Sequence, residues 1–217
     1  MSPRPLAALV LLAVPVAAAA QSGGTAHLYA YTVKDRAAFE AGYRRHLLWH
    51  AGKQDKLAWF AWYVTAGERK GAFVDGTFGT TPEGLAGRPD PEGDGADFRT
   101  NVSPFVTALG DEGWELVRTA SRATLLEDRR PGAWLHVYLL APTGRDSFEA
   151  AVRAWKAPGV SLYKSTGDGS VRYLLMVPAK ADAVPPPALP LRADVLRAET
   201  WTYAPRLALM PGETLQP

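Results

Sequence analysis

The chain has 217 residues, with 24 Lys and Arg against 22 Asp and Glu and a formal net charge of +2. A balance this even, with no basic block, argues against nucleic acid as a partner. Cysteine is absent, which excludes a disulfide framework and leaves stability to an ordinary core, for which 7 Trp, 8 Tyr and 7 Phe supply the bulk.

The N-terminus carries Arg4, then the apolar run "LAALVLLAVPVAAAA", then Gln21 and Ser22. A short basic region, an apolar stretch and an A-x-A site predict a secretory signal peptide over residues 1–20, cleaved after Ala20. The run is broken by Pro15 and falls short of the roughly 20 residues a spanning helix needs. The expected address is periplasmic or secreted, in a bacterium, with no membrane contact after cleavage.

Residues 27–33 alternate as a strand does, with Tyr29, Tyr31 and Val33 on one face. Asp35 stands at the N-cap position of a helix expected from about 36 to 51, stopped at Gly52. "LAWFAWYVT" and "GAFVDGTFG", joined by "AGERK", predict a hairpin. Trp59, Ala61 and Tyr63 share one face of its first strand and Phe60 and Trp62 the other, so both faces should be buried. Asp75 and Gly76 read as a strand-ending turn or bulge that still leaves Asp75 within reach of a pocket mouth. The Pro/Gly-rich stretch 80–95 is a lid or a plain connector. Within "DPEGDGADFRTN", Asp90, Glu92 and Asp94 sit as in a calcium loop, but Asn101 replaces the bidentate Glu such a loop requires. An acidic, solvated loop leading into a helix over about 96–109 is the expectation, followed by a strand in 113–127.

The sequence then repeats itself. "HLYAYTVKDRAAFEAGYR" (27–44) aligns without a gap to "HVYLLAPTGRDSFEAAVR" (136–153), identical at seven of 18 positions. "VSLYKST", "GDG" and "SVRYLLMVP" form a second hairpin signal. "AVPPPALP" (183–190) is a stiff connector. A short helical stretch near 193–196 and a strand in "ETWTYAPRLALM" close the second unit. "RRPG" (129–132) marks the boundary, so the expected units are 21–128 and 129–217.

Strand–helix–strand–strand–helix–strand, twice, is the ferredoxin-like α+β pattern. Two such units in one chain, with "FEA..R" early in each first helix, resemble the dimeric α+β barrel superfamily as a fused tandem. That superfamily includes NIPSNAP-like and antibiotic-biosynthesis-monooxygenase-like proteins, and the haem-binding chlorite dismutases and dye-decolorising peroxidases. The resemblance implies two sheets closing into one barrel within the chain, a monomer, and a pocket between a sheet and its own helices.

"YRRHLLWH" (43–50) supplies the candidate site. At about 100° per residue, Phe39, Tyr43, His46 and His50 fall on one side of the first helix, facing the sheet. An imidazole there can act as a base near neutral pH or ligate a metal. The stretch lacks the glutamate of H-E-x-x-H, so a metalloprotease is excluded. A two-histidine metal site needs a third ligand, and His27 and His136 occupy equivalent strand starts. Haem needs one histidine, but the resemblance places haem in the second unit, where Trp155 and Val152 stand in place of His46 and Tyr43. Hydrogen-bonded core histidines remain the alternative. The favoured reading is an exported small-molecule-binding protein, with cofactor-light monooxygenase-like or isomerase-like catalysis as the activity it would carry. His46 or His50 would transfer the proton, Tyr43, Trp49 and Trp59 would shape the pocket, and Asp75 would lie at its mouth. No metal is assigned and no cofactor is identified. A non-catalytic binding or assembly module, or a haem or metal protein, are the other readings.

Overall fold

A computed structural model of the protein describes residues 24–215, apart from 123–125, 156, 168, 184, 186–188 and 190. The expected signal peptide lies outside the described residues, as does most of the 183–190 connector. No helix among the described residues is long and apolar enough to cross a membrane.

The first half contributes β1 (Thr25–Val33), α1 (Arg36–Gly52), β2 (Trp59–Ala66), β3 (Phe73–Thr80), α2 (Pro82–Ala86), α3 (Pro91–Asn101) and β4 (Val106–Leu116). The second contributes β5 (Trp134–Pro142), α4 (Arg145–Ala154), β6 (Ser161–Ser165), β7 (Tyr173–Ala179) and β8 (Ala193–Tyr203). Among the described residues these strands form one closed antiparallel barrel, in the order β1-β3-β2-β8-β5-β7-β6-β4. Each half keeps the ferredoxin-like order, with its last strand beside its first: β4-β1-β3-β2 and β8-β5-β7-β6. The halves join where β2 pairs β8 and β4 pairs β6. Closure leaves no free sheet edge. The tandem ferredoxin-like α+β barrel expected from the sequence is the observed fold.

Period-two alternation sorts the strand residues into two layers. Ala26, Leu28, Phe60, Trp62, Val64, Val74 and Trp114 fill the barrel interior. The opposite faces carry Tyr31, Trp59, Ala61, Tyr63 and Phe73 against α1 in the first half, and Tyr138, Leu140, Leu162 and Tyr173 against α4 in the second. Strand β2 is therefore aromatic on both sides because both sides are buried, as its sequence predicts. A fully buried side chain of this size contributes about 1.5–3 kcal/mol. The internal repeat survives as contacts: Arg36 pairs Glu40, and Arg145 pairs Glu149, in the same turn of α1 and α4. Phe39 and Phe148 lie buried beneath them.

Four element expectations are corrected. The helix expected over 96–109 is α3, which begins at Pro91 and ends at Asn101. Asp90 caps it by accepting from the Gly93 N–H, Pro91 takes the first turn, and Glu92 and Asp94 favour the positive N-terminal end. The strand expected in 113–127 is β4, shifted to Val106–Leu116 by pairing with both β1 and β6; residues 123–125 lie outside the described set. The helical stretch at 193–196 is instead the start of β8, which closes the barrel between β2 and β5. Barrel pairing overrides a helix-tolerant local composition there. Asp75 and Gly76 form no strand-ending turn; they lie inside β3, with Gly76 opposite Leu28 and Phe60. A Cβ at Gly76 would stand 2.4 Å from the His27 carbonyl oxygen, which explains a glycine in mid-strand.

Candidate functional site

Helix α1 starts where Asp35 accepts from the Ala38 N–H and buries Phe39, Gly42, Tyr43, His46, Leu47 and His50 along one stripe. The apolar members of that stripe pack on the outer face of β1-β3-β2. Helix α3 lies beside α1, tied at its start by Lys53 Nζ donating to Asp90 (2.8 Å) and near its end by Arg45 Nε donating to Asn101 (2.9 Å). Between α1, α3 and the sheet is a cavity of about 280 Å³. That is near the lower end of the roughly 300–1,000 Å³ of small-molecule pockets and suits a one- or two-ring molecule. Tyr29, Tyr31, Leu47, Trp59 and Phe98 form its apolar walls, and Tyr43, His46, His50, Asp75, Arg88, Asp94 and Arg99 its polar ones. The stretch expected as a lid or connector supplies one wall as ordered helix.

The two imidazoles are oriented from behind. His46 Nδ1 lies 2.8 Å from Asp97 Oδ1, and His50 Nδ1 lies 2.8 Å from Asp55 Oδ2. Asp55 also accepts from Trp59 Nε1–H (2.9 Å) and the Leu57 N–H (3.0 Å). Asp97 accepts from Asn101 Nδ2 (3.0 Å). With each Nδ1 turned to a carboxylate, each Nε2 faces the cavity. The two Nε2 atoms are 3.3 Å apart, and both are 3.4 Å from Asp94 Oδ1. Arg88 Nε stands 3.2 Å from the other Asp94 oxygen. Burial pushes His46 below the ordinary imidazole value, His50 adds to this, and Asp97 and Asp94 oppose it. Burial alone would raise Asp55, but its hydrogen bonds from His50, Leu57 and Trp59 hold it below the usual carboxylate range.

Across the cavity, Tyr43 Oη donates to Asp75 Oδ2 at 2.5 Å, while Asp75 Oδ1 is buried with no partner. Burial pushes Asp75 up to about 7, against the lowering effects of the Tyr43 hydrogen bond and of nearby His50. Burial also drives Tyr43 well above its ordinary value. The native protein thus holds a proton on Asp75 that the unfolded chain, with a carboxyl near 3.9, releases from about pH 4 upward. Asp75 therefore subtracts stability progressively between about pH 4 and pH 7. Replacing it with Asn should remove that loss, so Asp75→Asn gains on the wild type as pH rises through this window. Urea midpoints at pH 4.5 and 8 read the effect, and equal pH profiles for both proteins would contradict it.

Five of the six residues singled out from sequence, Tyr43, His46, His50, Trp59 and Asp75, line this cavity. Trp49 does not: it stacks on His46 from outside, ring centroids 6.3 Å apart, with Lys53 over its face. Its position one residue before His50 puts it off the buried stripe. His27 and His136 are not third partners of the pair, because His27 pairs Asp111 (3.0 Å) and His136 pairs Thr200 (3.1 Å). The partners are Asp94, Asp97 and Asp55. Asp94 lies in the stretch read as a solvated acidic loop and Asp97 just inside the expected helix; as one helix from Pro91, α3 turns both toward α1, and no calcium loop forms. Asp97 follows Asp94 at the one-turn spacing that puts two side chains on one helical face, a signal available to sequence reasoning once the Asp90-Pro91 start is seen.

No family model matches the chain, and no curated protein matches it. Among solved structures it is similar to an anthrone oxidase-like protein, at 12% identity over 89% of this chain and 96% of that one, TM-score 0.48. It is also similar to a chlorite dismutase variant from Candidatus Nitrospira defluvii (12% identity, 84% and 92% covered, TM-score 0.48). A protein described as a monooxygenase from Lactobacillus acidophilus is a third (13% identity, 82% and 94% covered, TM-score 0.44). The likeness is one of fold alone. The haem that the sequence resemblance places in the second half does not fit there. The space between α4 and its sheet is filled by Phe148, Val152, Val160, Leu162 and Tyr173, and Val152 and Trp155 stand where α1 has Tyr43 and His46.

Proposed function

We propose that the protein is an exported small-molecule-binding enzyme whose site is the cavity between α1, α3 and the first-half sheet. Asp75, rather than either histidine, is its proton-transfer group. The observation that carries this reading is the buried, partnerless Asp75 Oδ1 among aromatic walls. A carboxyl poised near neutrality takes and returns protons efficiently at physiological pH. Tyr43 fixes its other oxygen, so the free one is oriented. The ligand class is a one- or two-ring, largely apolar molecule with a single polar group to meet Asp75. An open cavity beside His46 supports this over a packed assembly module, in which the same space would be filled. Export rests on the N-terminal leader, and a mature chain starting at Gln21 is its check by N-terminal sequencing.

Gly95 tests the cavity. It lines the pocket from α3, and an added Cβ there meets only the end of the Arg99 side chain, at 3.3 Å. Gly95→Phe should fill the space while removing a helix-interior glycine that costs about 1 kcal/mol. With 1-naphthol as probe, calorimetry should find binding to the wild type and at least tenfold weaker binding to Gly95→Phe, with an unchanged or raised Tm. A wild type that ignores 1-naphthol and phenol alike, or a variant that binds as well as wild type, would overturn the reading.

A further inference from the structure

We infer that His46, His50 and Asp94 form a binding site for a divalent transition-metal ion of four-coordinate preference, Zn²⁺ above all, with its fourth position open to the cavity. The three donor atoms are separated by 3.3, 3.4 and 3.4 Å. Around a tetrahedral Zn²⁺ with bonds of about 2.0–2.1 Å, ligand atoms lie about 3.3–3.4 Å apart. An octahedral site with bonds of about 2.1 Å would bring neighbouring ligands to about 3.0 Å. The triangle already has the tetrahedral edge.

Electrostatics points the same way. Two imidazole nitrogens and a carboxylate oxygen converge in a largely buried place, where a cation at the centre would meet all three. His46 and His50 are 6% and 3% exposed, so water cannot take that role freely. Each donor is also held from behind as metal ligands are: Asp97 on His46, Asp55 on His50, and Arg88 beside the second oxygen of Asp94. The Asp55 support is itself anchored by Trp59 and Leu57. Two ligands at i and i+4 on α1 and a third from α3 mean that the ion would also staple the two helices together. The inference goes beyond the ligand-binding reading and stands without it, because it is measured with the metal alone.

The test uses the full-length mature protein, stripped with chelator, dialysed, and titrated with Zn²⁺ and separately with Co²⁺. One equivalent of either should bind, Zn²⁺ should raise the Tm, and bound Co²⁺ should show the intense visible bands of a four-coordinate ion. Asp94→Asn, a near-isosteric change at a partly exposed position, should keep the apo fold and lose at least tenfold in affinity. Asp97→Asn should lose about 10–100-fold through His46 orientation. If His50→Ala fails to fold, these two carboxylate variants still decide the matter. Folded protein that binds neither ion, a Co²⁺ spectrum like that of the hydrated ion, or full affinity in Asp94→Asn would each overturn the site. In the first of these cases a proton shared among the three groups would hold them together instead. 1-Naphthol binding measured on the same apo protein separates a failed metal site from a failed pocket.

Discussion

Asp55→Ala is expected to cost about 3–5 kcal/mol of stability, because it strands three buried donors at once. Trp59 Nε1–H, the Leu57 N–H and His50 Nδ1–H all point at this carboxylate, which is 6% exposed. Each orphaned donor costs about 1–3 kcal/mol, with some relief from water entering the smaller side chain's space. Asp55→Asn keeps one carbonyl oxygen and should fall between the two. The effect depends on pH with a definite sign. Asp55 is held below its ordinary value in the folded state, so its contribution is complete above about pH 4 and fades as the pH falls further. Chemical denaturation at pH 7 and pH 3 measures both statements. A loss under 1 kcal/mol at pH 7, or one that grows in acid, would mean that Asp55 does not hold this corner together.

The second large effect is steric. A Cβ on Gly42 would lie 1.9 Å from the carbonyl oxygen of Asn101, at the end of α3. The obstacle is backbone, so the helices must separate rather than a side chain swing aside. Overpacking in a core costs about 1–3 kcal/mol, occasionally more, and Gly42→Val should reach about 3 kcal/mol or beyond. Even Gly42→Ala should destabilise, although alanine in an unencumbered helix gains about 1 kcal/mol over glycine. Gly52, near the end of the same helix with nothing within 4 Å of an added Cβ, is the control and should tolerate Ala. Moving α3 also carries Asp94 and Asp97 away from the histidines, so Gly42→Val should lose Zn²⁺ as well as stability. A folded Gly42→Val with wild-type Tm would refute the close helix contact on which the cavity's shape depends.

Both variants show where the sequence was readable and where it was not. The barrel was legible because the repeat, the Asp35 cap and the two-faced aromatic pattern of β2 are local signals that agree with the global fold. The buried stripe of α1 followed from a 3.6-residue period. Strand β8 was legible only from Glu199 on, because Ala193–Leu196 carries no strong strand signal and its state is set by partners far away in sequence, on β5. The site was half legible. Tyr43, His46 and His50 share a helix face, which any periodicity argument finds. Asp94 and Asp97 reach them only by tertiary packing of α3, and reading their stretch against a calcium loop hid its helix cap. Gly42 shows the same limit, since an allowed helical glycine reveals its reason only when the neighbouring helix is seen.

The most direct test of the central claim, that one cavity joins a His–His–Asp triangle to a free carboxyl, is an anomalous diffraction map at the zinc edge from crystals grown with equimolar Zn²⁺. The account predicts a single strong peak about 2.0–2.2 Å from His46 Nε2, His50 Nε2 and Asp94 Oδ1 alike, with Asp75 across the cavity from it. A map with no peak between these atoms, in a crystal whose α1 and α3 pack as described, would contradict it.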